Sequence, residues 1–290
     1  MSSSLIGTGY NASISYVEET TYGLTPGTYT MIEIGRVMSA DISIGSDHLS
    51  VYGLDTQSRL FHPQGNETYE LGIEFYINEE AWTFINLIED SLSFQFVIEQ
   101  SLGGSEWYTV LNGAVVSEIS VSGSAGEAWT ASATIKCKQI VSDEITNVEP
   151  ANWTGYARST DEILMCSGGK LASGADWITT PTTDEVEVTD AEFSISYAHA
   201  DNFVLNSNVV EGFYEGNIEC SFSFTANFND VTHFTRILDN ESGILSLELD
   251  GTDKITFTGC VYDEVSYPLA EGELTNIEIS GTADSFAFAP

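Results

Sequence analysis

The chain has 290 residues, 42% of them hydrophobic, enough for one large core or two modest ones and too apolar for a disordered protein. Eight basic residues against forty-four acidic ones leave a formal charge of −36, which repels phosphate and argues against direct nucleic-acid binding. That balance suits molar salt, where the Debye length falls to about 3 Å and self-repulsion is screened; the rival readings are a calcium-loaded extracellular protein and a nucleic-acid mimic, but the acids are scattered and lack Ca²⁺-loop spacing.

The opening "MSSSLIGTGYNAS" has neither a basic nor an apolar leader region, and no later run is apolar for 18 residues, so neither a secretion signal nor a membrane span is expected. "GTGYNA" at 7–12 imitates a dinucleotide fingerprint without the preceding strand or following helix that the chemistry needs. Next comes the acidic, turn-rich "SISYVEETTYGLTPGTYT" at 13–30, and then an alternating strand around "ADISI" at 40–44. A long excursion, "GSDHLSVYGLDTQSRLFHPQGNET" at 45–68, separates it from a second strand, "YELGIEFYI" at 69–77. Strict alternation of Tyr69, Leu71, Ile73, Phe75 and Ile77 predicts a strand buried on one face.

"NEEAWTFINLIEDS" at 78–91 predicts a helix, with Asn78 as cap, acids in the first turn and a stripe of Ala81, Phe84, Leu87 and Ile88. Strands follow at 94–100, 112–127 and about 128–140. The same order then recurs. "AEFSI" at 191–195 answers "ADISI", "IECSFSFTA" at 218–226 answers 69–77, and "NFNDVTHFTRILDN" at 227–240 repeats the helical pattern with Val231, Phe234, Ile237 and Leu238. "LSLELDG" at 245–251 is set against 94–100. A shared Gly-x-Val-x-x-Glu-[Ile/Val]-Ser sets Gly113, Val115, Glu118, Ile119 and Ser120 against Gly259, Val261, Glu264, Val265 and Ser266. The excursion has a counterpart at 197–217, which places His48 and His199 at equivalent positions.

The predicted fold class is therefore mainly β: two tandem copies of one β-rich module, each with one flanking α-helix, which the resemblance given below implies to be a β-sandwich or barrel. The expected organisation is an N-terminal arm over 1–38, a first module over 39–142, a connecting segment over 143–187 and a second module over 188–290. The four cysteines, Cys137, Cys166, Cys220 and Cys260, are too far apart for CxxC sites and read as small buried hydrophobes. His48, His62, His199 and His233 have no metal-site spacing, no Gly-x-Ser-x-Gly elbow exists, and carboxylates are too abundant for any pair to signal acid and base. No catalytic, cofactor or metal residues are expected.

"YVEETTYGLTPGTYTMIEI" followed by "DISIGSDHLSVYGLDTQSR" resembles the start of tail tube proteins of tailed double-stranded DNA viruses, most clearly over 13–60. The resemblance implies a β-sandwich with one helix whose sheets join edge to edge into rings, and long loops that reach the adjacent ring. The stacking residues would then be His48, Tyr52, Arg59 and Phe61 in the first excursion, with Phe203, Val209 and Phe213 in the second. Rings of that family commonly carry six copies of the fold, so a two-module chain would close as a trimer of pseudo-sixfold symmetry. The implied surroundings are other tail proteins at the tube ends, a tape measure protein and DNA in the lumen without specific binding, no membrane, and a virion assembled in host cytoplasm. The acidity points to a virus of a halophilic archaeon. Alternation leaves Glu70, Glu74 and Glu219 opposite the core, as candidates for the channel wall. A carbohydrate-binding or adhesin-like β-sandwich of a halophile, with exposed aromatics on a concave face, is the alternative.

Overall fold

The structure, a computed structural model, describes residues 12–24, 27, 29–48, 51–52, 59–61, 64–88, 93–102, 105–141, 153–157, 170–173, 185–186, 188–205, 207–227, 237–239, 242–250, 253–266 and 276–289. The first half contains β1 (Ala12–Glu18), β2 (Tyr29–Glu33), β3 (Arg36–His48), β4 (Val51–Tyr52), β5 (Arg59–Phe61), β6 (Gln64–Tyr76), α1 (Glu79–Leu87), β7 (Phe94–Leu102), β8 (Ser105–Ser124), β9 (Thr130–Cys137) and β10 (Gln139–Ile140). The second contains β11 (Trp153–Ala157), β12 (Lys170–Ser173), β13 (Glu185–Val186), β14 (Val188–Tyr197), β15 (Ala200–Asn202), β16 (Gly212–Tyr214), β17 (Ile218–Asn227), β18 (Gly243–Asp250), β19 (Asp253–Ser266), β20 (Asn276–Ala283) and β21 (Ser285–Ala289).

Two layers are built around β8 and β19, each of which serves both. The inner layer is a run of eight antiparallel strands in the order β3, β6, β9, β8, β14, β17, β20, β19. Only the later part of β8 and of β19 takes part in it. Their earlier parts turn into the outer layer, where β8 pairs with β7 and β10, and β19 with β18 and β21. β1 completes the first outer sheet on β7, and β12 occupies the matching place on β18. The stretch read as an arm thus contributes β1 and β2 to a sheet, and the connecting stretch contributes β11, parallel to β2, and β12.

Both corners turn on a glycine. Gly113 has φ 61° and Gly259 has φ 69°, a region costly for any residue with a Cβ. A β-bulge follows each, between Val116 and Glu118 in β8 and between Tyr262 and Glu264 in β19, which adds bend and twist. The residue past β9 and the residue past β20 close the two corners alike: Lys138 N donates to Asn112 O at 3.0 Å, and Asp284 N to Thr258 O at 3.0 Å.

Registers define which residues correspond. Ala40↔Ile73, Ile42↔Leu71 and Ile44↔Tyr69 on β3 and β6 match Ala191↔Phe224, Phe193↔Phe222 and Ile195↔Cys220 on β14 and β17. "ADISI" and "AEFSI" therefore occupy the same place. The sequence alignment of 69–77 with 218–226 is corrected by two residues, because Leu71 corresponds to Phe222 and Phe75 to Ala226. The alignment of 94–100 with 245–251 slips by two as well: Phe96 and Ile98 correspond to Leu245 and Leu247. A slip of two keeps every side chain on its face, so alternation is blind to it.

One apolar cluster runs through both halves, centred in the first on Tyr16, Phe75, Phe84, Phe94 and Phe96 and in the second on Phe193, Phe222, Phe257 and Tyr262. Phe84 sits among Tyr16, Phe75, Phe94 and Phe96 at centroid distances of 5.0 to 6.2 Å in tilted or edge-on pairs. The capping expectation holds: Asn78 Oδ1 accepts from Ala81 N at 3.0 Å, and α1 buries Ala81, Trp82, Phe84 and Ile85. Trp82 also meets Phe288 of β21 edge-on at 5.7 Å, a tie between the halves. In the second predicted helix, residues 237–239 are helical; Val231 and Phe234 lie outside the described residues. Cys137, Cys220 and Cys260 are free and buried, as small hydrophobes would be, while Cys166 lies outside the described residues.

Replacing Gly113 by alanine should cost about 2 kcal/mol, because the residue must adopt positive φ and its Cβ would lie 2.7 Å from Lys138 Cβ. Chemical denaturation in molar salt measures this; an unchanged midpoint would show that the corner does not depend on glycine.

Candidate functional site

Glu19 holds the first corner in place. It lies in the "EETTYG" turn after β1 and is 4% exposed. Its Oε2 accepts from Gly23 N at 2.8 Å and Ser93 Oγ at 2.6 Å, and its Oε1 from Gly113 N at 3.0 Å. One carboxylate thus ties the N-terminal turn, the start of β7 and the glycine of β8 together. Burial pushes its pKa above the ordinary 4.5, against the opposing pull of those three donors and of Lys138. The acidic, tyrosine-bearing stretch at 13–30 is therefore structural at Glu19.

The inner layer presents a polar face away from the core. Glu70, Glu74 and Glu219 are all exposed on it. Around them the strands carry hydroxyls at alternate positions: Ser120 meets Ser132 at 3.1 Å, Ser122 meets Thr130 at 3.2 Å, and Ser39 Oγ donates to Glu74 Oε2 at 2.9 Å. The face is concave where the halves meet, enclosing about 470 Å³ bordered by Ser122, Ser124, Glu192, Ser223, Glu264 and Glu278. Lys136 on this face is held by Asp201 Oδ1 at 3.1 Å and His199 O at 2.9 Å, and the exposed Arg36 lies on the same face opposite Tyr76.

The two halves are joined by strand pairing. β14 lies antiparallel on the later part of β8, from Asp190↔Ser124 through Phe193↔Val121 and Ile195↔Ile119 to Ser196↔Glu118. Phe193, Ile195, Ile119 and Val121 are all buried there. The outer edges of the eight-strand run differ. Among the described residues, β3 pairs with β6 alone, and residues 261–266 of β19 pair with β20 alone. Ile44, which corresponds to Ile195, is 60% exposed where Ile195 is 0%. Ala40 is exposed where Ala191 is buried.

The second excursion folds onto the first half of its own chain. Phe213 packs edge-on against Tyr22 at 6.0 Å and tilts toward His199 at 6.3 Å. Phe203, Val209 and Phe213 are half-buried, whereas Val204, Leu205 and Tyr214 beside them are exposed by 45%, 94% and 62%. In the first excursion His48 ends β3, Tyr52 lies on β4, and Arg59 and Phe61 lie on β5; their side chains are outside the described residues. Among the described residues Tyr214 is the one aromatic among the large exposed hydrophobics, and it does not border the concave groove. A lectin-like platform of aromatics is thus missing from the described part of that face. Among the described residues no cluster of three His, Cys, Asp or Glu could hold a metal ion, and no helix is long and apolar enough to cross a membrane.

The described residues thus form a two-layer β-fold with the helix α1, two long corner-turning strands and two sheet edges that each pair with one neighbour. The chain belongs to the phage tail tube protein family, whose model matches residues 9–287. It is a structural component of a virion tail tube. Two solved structures are similar over 42% of this chain and 95% of theirs: the tail of an empty gene transfer agent particle refined with C6 symmetry, at 11% identity and TM-score 0.34, and the virion of the native gene transfer agent particle, at 12% and 0.33. No curated protein sequence matches the chain.

Since folding raises the pKa of Glu19, the folded chain keeps its proton at pH values where the unfolded chain has lost it. The contribution of neutral Glu19 is complete below 4.5 and is lost as pH rises through the raised value. Glu19→Gln should flatten stability against pH in that window relative to wild type. At neutral pH it should cost about 1–2 kcal/mol, because an amide nitrogen would face Gly113 N–H. Superimposable pH profiles would show that Glu19 is not the titrating corner group.

Proposed function

We propose that three copies of this chain close one ring of a tail tube, and that stacked rings form the conduit through which viral DNA leaves the particle. The carrying observation is the β14–β8 seam, a copy within the chain of the contact the chain needs with its neighbours. Transferring its register to the free edges sets β3 of one copy antiparallel on β19 of the next, with Ser43 opposite Ser266, Ile44 opposite Val265 and Gly45 opposite Glu264. Ile44 would then be covered as Ile195 is covered now. The contact is head-to-tail, and its repetition closes a ring where the rotation from copy to copy returns to the first copy. Eight inner strands per chain and three chains make a wall of twenty-four (3 × 8). The two tandem modules behave as two subunits joined covalently, which gives pseudo-sixfold symmetry.

The concave polar face lines the lumen in this arrangement, with Glu70, Glu74 and Glu219 among its groups. Hydroxyls and carboxylates bring no positive charge to phosphate, and of the described cations on that face Lys136 is already paired with Asp201 and Arg36 stands at the start of β3, so DNA would meet few charges that could hold it by counterion release. Stacking of rings falls to the excursions, where the exposed Val204, Leu205 and Tyr214 supply apolar contact that a neighbouring ring would cover. The formal charge of −36 fits a virus of a salt-loving, archaeal host, since rings of like charge gather only where screening is strong. Assembly would take place in the host cytoplasm before the tube meets its end proteins.

Ile44→Asp tests ring closure. The residue is exposed in the single chain, so the fold should keep its melting temperature to within a few degrees, while the charge buried at the seam should block ring formation. Sizing in molar salt reads this out; rings of normal size from the variant would exclude the β3 edge. Lysine at Glu70, Glu74 and Glu219 together should leave tubes intact and slow DNA release, most at reduced salt. Unchanged release from well-formed particles would place this face elsewhere.

A further inference from the structure

The first corner carries a chemical liability that the second lacks. Asn112 is the one asparagine of the chain followed by glycine, and the pair falls on the turn of β8 itself. At the second corner Gly259 follows Thr258. An asparagine before glycine can react within its own backbone, because the glycine nitrogen has no Cβ beside it to block approach. The Gly113 nitrogen loses its proton and bonds to the side-chain carbonyl carbon of Asn112, and ammonia leaves. Water then opens the resulting five-membered ring at either carbonyl. One product is an aspartate at position 112, and the other is an isoaspartyl linkage whose backbone is longer by one methylene.

In the folded chain the groups that must react are held away from each other. Asn112 is 3% exposed and stands opposite Gln139 of β10. Lys138 N donates to Asn112 O at 3.0 Å and to Gly113 O at 3.2 Å. On the other side the ladder with β7 is irregular: Phe94 faces Ala114 and Phe96 faces Leu111, so Asn112 and Gly113 together stand against Gln95. The Gly113 N–H is taken there by a side chain, Glu19 Oε1 at 3.0 Å. Glu19 is in turn anchored through Oε2 to Gly23 N and Ser93 Oγ. Ring closure needs the Asn112 Cβ and the Gly113 nitrogen nearly eclipsed about the bond between them. Extended backbone, with ψ of about +135°, does not provide that. Glu19 therefore holds both the attacking N–H and the backbone shape that keeps it from its target.

We infer that Asn112–Gly113 is a deamidation site kept closed by Glu19, so that a chain whose first corner stays open is converted irreversibly into one that closes it poorly. Both products fall between the outer and inner parts of β8, the strand that carries the first outer sheet and the β14 seam. An isoaspartyl linkage shifts one part of that strand against the other by a backbone atom. An aspartate puts a second carboxylate at a buried position next in sequence to the glycine that Glu19 holds, and a buried charge without a partner is costly. Chains that linger open are thereby withdrawn from the folded pool. The reaction consumes only water and does not depend on how chains meet in a ring. A carboxylate on an amide N–H can also act as a base that promotes the attack, and the two roles of Glu19 predict opposite effects of removing it.

Peptide mass spectrometry of the full-length chain, incubated for days in molar salt at neutral pH, tests this by following the mass gained at residue 112 when its amide becomes a carboxyl. The wild-type chain should convert in urea and stay unconverted when folded. Folded Glu19→Gln should convert at least about tenfold faster than folded wild type, as the open corner becomes more populated. Ser93→Ala keeps Glu19 and removes one of its anchors; it should give an intermediate rate and is the readable variant if Glu19→Gln does not fold. Gly259→Ala strains the other corner and should leave the rate at residue 112 as in wild type. Conversion in Glu19→Gln and Ser93→Ala at or below the wild-type rate would overturn the guarding role, the slower result assigning Glu19 as the base. Equal acceleration in Gly259→Ala would overturn it in favour of global unfolding, and no conversion in urea would remove the site. Asn112→Asp reproduces one product and should melt below wild type at neutral pH; an unchanged melting temperature would overturn the proposed consequence.

Discussion

The seam where β14 lies on the later part of β8 is the contact on which the rest of the molecule depends. It turns two four-strand sheets into one run of eight, buries Phe193 and Ile195 against Ile119 and Val121, and brings the two polar faces into one concave surface. A sheet built from an even number of antiparallel strands ends on edges that run in opposite directions. Those edges run antiparallel to each other, which is what the proposed pairing of one copy with the next requires. Ile44 is exposed at the β3 edge, against the full burial of Ile195 in the seam, and this is the edge at which the proposed neighbour would dock.

The corners make that seam available. A sandwich whose long strand stayed in one layer would bury its inner edge under its own outer sheet. By turning at Gly113 and Gly259, β8 and β19 give their first parts to the outer layer and leave their last parts free to receive a neighbour. Glu19 is committed to the first of these turns. Its three hydrogen bonds to Gly23, Ser93 and Gly113 explain why a chain with carboxylates everywhere buries this one. The long excursions leave from strands beside those corners, and the second already shows how such a loop closes over an adjoining module.

Much of this was legible in the residues. Alternation placed the inner strands and their core faces, Asn78 announced the first helix, and the shared Gly-x-Val-x-x-Glu pattern coincided with both corners and both bulges. Two kinds of information were out of reach. A period of two cannot distinguish registers that differ by two, so the alignments at 218–226 and 245–251 slipped while every burial assignment along them kept its parity. Nor could charge single out Glu19 among forty-four acids; its only signal was its place beside a Thr-Tyr-Gly turn, where a buried acceptor can reach several backbone donors. The excursions were found by length, but which of their apolar residues stay outside depends on tertiary contacts: Phe213 is taken up by Tyr22, and Leu205 is left in solvent.

Electron-microscopic reconstruction of the tube assembled in molar salt tests the central claim most directly, because it reads symmetry and strand placement together. The account predicts a wall of twenty-four inner strands with true threefold and apparent sixfold symmetry, β3 of each chain paired with β19 of the next, and the face bearing Glu70, Glu74 and Glu219 turned to the channel. Rings of six chains, or a wall in which β3 pairs with nothing, would contradict it.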